Sequence, residues 1–92
     1  MTDKEKLVTR ARELSDEARA GDGSASDVRE EQRIRMADAL SDIAKALENG
    51  ETLGKYGGTL SRQIIDSWPL GNELGNRISE FEEQLDGHLA RI

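Results

Sequence analysis

The chain has no cysteine, one proline, one histidine and a single Phe, Trp and Tyr. Without cysteine there is no disulfide framework, thiolate zinc site, iron–sulfur cluster or cysteine nucleophile. A serine triad needs a carboxylate-oriented histidine beside an activated serine, and no nucleophile-elbow motif surrounds any serine here. A di-iron bundle needs Glu three residues before His on two helices. His88 is the only histidine, and position 85 is Leu. No apolar run approaches the ~18 residues of a membrane span. The opening MTDKEKLVTR lacks the apolar stretch of a signal peptide, so a cytoplasmic location is expected. Basic residues are outnumbered, 13 against 19 acidic, for a net charge of −6. That balance disfavours bulk attraction to nucleic acid or to an anionic membrane.

Two loop motifs fail on spacing. GETLGKYGG (50–58) places three residues between Gly50 and Gly54 and Tyr after Lys55, whereas a phosphate loop needs four and Ser/Thr. An EF-hand loop counted from Asp22 would need Gly at position six and Glu at twelve, where Asp27 and Arg33 stand. No cofactor or metal is expected.

Helical periodicity is what the chain does have, and no strand-like alternation competes with it. The spacing predicts a first helix over 3–20, with Thr2 and Glu5 as a capping box and Leu7, Ala11, Leu14 and Ala18 as a narrow stripe. GDGSAS (21–26) breaks it. A second helix follows over 27–49, with Asp27 and Glu30 at its start and Gly50 at its end. Its stripe is Met36, Leu40, Ile43 and Leu47, shouldered by Ala37 and Ala44. A glycine-rich loop spans 50–58. A short third helix over 60–67, capped by Thr59, aligns Leu60, Ile64 and Trp68 before Pro69 stops it. A last helix over 71–90, capped by Asn72, carries Leu70, Leu74, Ile78, Phe81, Leu85, Leu89 and Ile92 at helical spacing. Gly75 and Gly87 interrupt it, each costing roughly 1 kcal/mol relative to Ala, and fraying is expected near Gly87.

The expected fold is therefore all-α: one domain over 1–92, a small bundle of three to four helices. It combines an antiparallel N-terminal hairpin with a short helix and a long amphipathic C-terminal helix. The core of so short a chain is thin, and association with a second copy would extend it.

Two surfaces depart from the pattern. Helical projection puts Arg29 and Arg33 in line with the apolar stripe of the second helix and turns Ile34 outward. These three either cover the edge of the core or form a contact surface. The last helix sets Glu73, Glu80, Glu82, Glu83 and Asp86 against Arg77 alone, five acids and one base for a local charge of −4. Such a face either is simply solvated or docks on a basic partner.

The function expected is that of a small, acidic, non-catalytic protein-binding module: an adaptor, subunit or inhibitor of a larger machine. One variant is a mobile-element inhibitor that covers a basic nucleic-acid-binding surface. Its contact residues would be Arg29, Arg33, Ile34, Glu73, Glu80 and Glu83, and its partner another protein. The alternative is a helix-turn-helix-like DNA-binding regulator, with Gly58 in the turn and Ser61, Arg62 and Gln63 reaching base edges from residues 59–65. An enzyme would require acids and Tyr56 to converge in a pocket.

Overall fold

The computed structural model describes residues 3–50, 59–69 and 71–90. They form four α-helices: α1 (Asp3–Ala20), α2 (Glu30–Asn49), α3 (Thr59–Ser67) and α4 (Glu73–Ala90). Among the described residues there is no strand, and no helix is long and apolar enough to cross a membrane. The all-α bundle is the one the periodicity predicts. Thr2, residues 51–58 of the glycine-rich loop with Tyr56 and the turn glycine Gly58, Leu70 and Ile92 lie outside the described residues.

α1 and α2 form the antiparallel hairpin. Their apolar stripes face each other, and Leu14, Met36, Leu40 and Ile43 are fully buried between them. Alanines at 11, 18, 37 and 44 let the two backbones approach. That closeness allows the Ser15 hydroxyl to donate to the Ala37 carbonyl at 2.9 Å inside the interface. Along the rims, Arg12 pairs with Glu48, and Arg19 with Asp38 at 2.9 Å. Partners in α2 run backward as those in α1 run forward, which fixes the antiparallel sense.

The break between them is more ordered than its composition suggests. Gly21 adopts φ 70° and closes α1, its N–H donating to the Glu17 carbonyl at 3.2 Å. A 3-10 turn (Gly23–Asp27) follows and buries Ala25. Val28 then drops into the core in extended conformation. Burying Val28 delays the second helix to Glu30, so the start expected at Asp27 is corrected. The N-cap is Arg29, without a side-chain cap bond, and the acids of the first turn are Glu30 and Glu31. The C-terminal stop at Gly50 is as expected, with φ 70° in the left-handed region that glycine adopts without strain.

α4 packs antiparallel along α1, and α3 packs mainly on α4 with a smaller contact to α2. The third and fourth helices therefore complete the core of the hairpin within one chain. Leu60 and Trp68 are buried, and Ile64 packs against them. Asn72 caps α4 as expected, its Oδ1 accepting from the Gly75 N–H at 3.0 Å. Leu74, Ile78, Phe81 and Leu85 form the continuous inner stripe of that helix. The helix continues through Gly87 to Ala90, past the point where fraying was expected. The radius of gyration is 12.5 Å, close to the ~12 Å of a compact chain this long.

Candidate functional site

Two charged residues that break the helical patterning turn out to close the ends of neighbouring helices. Arg33 of α2 reaches back to the C-terminal end of α1. Its Nη1 donates to the Ala18 carbonyl at 3.0 Å and the Arg19 carbonyl at 3.4 Å, and its Nε to the Val28 carbonyl at 3.2 Å. The last carbonyls of a helix lack intrahelical donors, and its C-terminal end is partly negative, so a guanidinium satisfies both needs. Gly21 makes room for it. A Cβ there would stand 2.4 Å from Arg33 Nη1, on a backbone already at φ 70°.

Glu82 of α4 performs the complementary task for α3. Its Oε2 accepts from the Leu60 N–H at 2.8 Å, and its Oε1 accepts from the Ser61 hydroxyl at 2.7 Å and the Ser61 N–H at 3.3 Å. The side chain is buried, with only 4% of the residue exposed. Among the described residues no cation pairs with it, so the helix N-terminus and the hydroxyl supply the compensation that a buried carboxylate requires. By composition alone Glu82 counts among the solvent-facing acids of the last helix. Its position four residues after Ile78 and one after Phe81 is an inward one, and that spacing was the signal available.

These two caps redistribute the candidate contact residues. Arg33 is committed to the fold, and its guanidinium points into a helix end rather than toward a partner. Arg29 is exposed and Ile34 half-buried, so the trio does not present one continuous surface. On α4, by contrast, Glu73, Glu80 and Glu83 remain exposed after Glu82 turns inward, as does Asp86. Projection places Glu73, Glu80 and Glu83 within an arc of about 80°, in a row about 15 Å long. Arg77, the one base of this stretch, faces Glu17 of α1, its Nη1 3.0 Å from both carboxylate oxygens. Among the described residues no ion pair reaches Glu73, Glu80, Glu83 or Asp86.

No family model, curated protein or solved structure matches the chain. Its chemistry must therefore be read from its own surfaces.

A cleft of about 470 Å³ lies between the start of α1 and the end of α4 and is lined by Asp3, Lys6, Leu7, Glu83, Gln84, Gly87 and His88. Charges of both signs line it, and among the described residues no Ser, Thr or Tyr contributes to its lining. Among the described residues no three acidic or histidine side chains are placed to hold a metal ion. On α3, the three side chains assigned to base edges have diverged. Ser61 is turned to Glu82, Gln63 is half-buried and Arg62 is exposed. The Glu82 carboxylate also occupies the helix N-terminus where a phosphate would otherwise sit.

Proposed function

We propose that the protein is a small non-catalytic binding module, an adaptor, subunit or inhibitor of a larger assembly, that docks through the outer face of α4 on a basic surface of another protein. The row Glu73, Glu80 and Glu83 carries this reading, because all three are exposed and no ion pair reaches them among the described residues. At the α1–α4 seam Arg77 is answered by Glu17, whereas among the described residues no cation pairs with Glu73, Glu80 or Glu83. A rigid anionic strip about 15 Å long suits a basic groove, including one that otherwise holds a nucleic-acid backbone. In that case the module acts as an inhibitor by occupying the groove.

The test is capture from the native lysate with and without nuclease, followed by a salt titration of the captured complex. The expected result is a stoichiometric protein partner that survives nuclease and weakens steeply with ionic strength. The variant E80K/E83K should lose at least about tenfold in affinity while its stability stays within about 0.5 kcal/mol of wild type, as exposed substitutions usually do. A partner held equally well by the reversed-charge variant, or insensitive to salt, would sink the proposal. Capture that disappears with nuclease would favour the DNA-binding reading of residues 59–65 instead.

A further inference from the structure

The outward face of α3 carries Arg62, Ile65 and Asp66, all exposed. Ile65 is 81% exposed and is the one exposed large hydrophobic residue among those described. At about 100° per residue the three share one arc of roughly 100°. Arg62 and Asp66 lie one turn apart with opposite charge, yet neither has an ion-pair partner among the described residues.

Their order is unfavourable within the chain. Arg62 sits near the partly positive N-terminus of α3, and Asp66 near its partly negative C-terminus. An intrahelical pair with the acid C-terminal to the base is also the poorer orientation. An antiparallel copy of the same helix reverses both signs. Arg62 then meets Asp66 of the second copy, beside the C-terminal end of that copy's helix, and the reciprocal pair forms across the dyad. A two-fold axis midway between positions 62 and 66 leaves the two Ile65 side chains about 3 Å apart along the helix axis, given a rise of about 1.5 Å per residue. The patch is therefore self-complementary, as a two-fold interface must be. α3 is also fixed in place for this role: Glu82 holds its first turn, and Gly75 lets Ile64 and Trp68 seat closely on α4.

We infer that the protein forms a transient two-fold dimer through the α3 face, with Ile65 at its centre and reciprocal Arg62–Asp66 pairs around it. This surface is separate from the acidic row of α4, and neither proposal depends on the other.

Sedimentation equilibrium of the full chain from about 10 µM to about 1 mM tests it, the range in which a small transient interface is read. Wild type is expected to dimerise. I65E, R62D and D66R should each weaken association by about tenfold or more. R62D and D66R each improve the charge match of α3 with its own dipole, so their thermal stability should hold or rise while association falls. An equimolar mixture of R62D and D66R should regain a 1:1 heterodimer, because one copy then presents two acids and the other two bases. The double variant R62D/D66R should self-associate like wild type. Far-UV circular dichroism and Trp68 emission confirm that each variant is folded. A wild type that stays monomeric across the range overturns the inference. So does a dimer that persists in I65E, or a mixture that fails to pair.

Discussion

The α1–α2 hairpin and the α3–α4 pair solve the same problem with opposite charges. In the first, an arginine of α2 closes the C-terminal end of α1. In the second, a glutamate of α4 closes the N-terminal end of α3. The signs follow the helix dipole in each case. The difference lies in how much else supports the contact. The hairpin joins helices of 18 and 20 residues across a continuous apolar seam, adds the buried Ser15–Ala37 bond and has ion pairs on its rims. Its rim pairs are exposed and contribute little, about 0–1 kcal/mol each. α3 has 9 residues, too few to be stable alone, and depends on its seat against α4. Arg33 is thus one closure among several, whereas Glu82 is the principal polar anchor of α3.

Glu82→Ala should therefore have the largest effect. It removes hydrogen bonds from a charged acceptor to two backbone N–H groups and a hydroxyl, a loss of about 3 kcal/mol. Trp68, the single tryptophan and only 6% exposed, reports the seating of α3 directly. In urea, its emission should shift at a lower concentration than the far-UV ellipticity, which the long helices dominate. Coincident transitions with an unchanged midpoint would show that α3 does not depend on this cap. Glu82→Gln should fall between, since it keeps one acceptor oxygen but loses the charge.

The hairpin's closure is tested by a pair of substitutions. Gly21→Ala places a Cβ at φ 70°, costing about 1–2 kcal/mol from the backbone alone, and also displaces the Arg33 guanidinium. Arg33→Ala should cost about 1–2 kcal/mol through the lost carbonyl bonds. Because Gly21→Ala already disrupts what Arg33 does, the double variant should be less destabilised than the sum of the two, by at least about 0.5 kcal/mol in thermal or urea unfolding. Strict additivity would mean that glycine is needed there for its backbone alone.

The apolar stripes were legible because period and burial coincide: Leu7, Leu14, Leu40, Ile43, Ile78 and Phe81 all lie where spacing puts them. Gly50 and Asn72 were legible because their capping roles are local in sequence. Arg33 and Glu82 were not, since each serves a helix other than its own. Propensity and periodicity describe one helix at a time. A cap that spans 15 residues, between Arg33 and Ala18, or 22, between Glu82 and Leu60, exists only once the helices are docked. The same limit explains the start of α2. Asp27 has the composition of a cap, but burial of Val28 decides where the helix begins. The acidic row of α4 was visible as composition, and the structure refines it by removing Glu82 from the set.

The smallest expected effect separates the two glycines of α4, which the sequence treats alike. Gly75 lies against α3, where a Cβ would stand 3.2 Å from Ile64 Cγ2 and 3.5 Å from Trp68 Cε3. Gly87 has nothing within 4 Å of the same position. Replacing either by Ala gains helix propensity, up to about 1 kcal/mol. At Gly87 that gain is unopposed, so Gly87→Ala should stabilise by about 0.5–1 kcal/mol. At Gly75 the gain is offset by crowding of Ile64 and by a small displacement of α3, for a net loss of about 0–2 kcal/mol. Trp68 emission should register Gly75→Ala and ignore Gly87→Ala. If both variants were equally stabilised with unchanged emission, α3 would have room to yield, and the close seating of that helix on α4 would not be what the glycine at 75 provides.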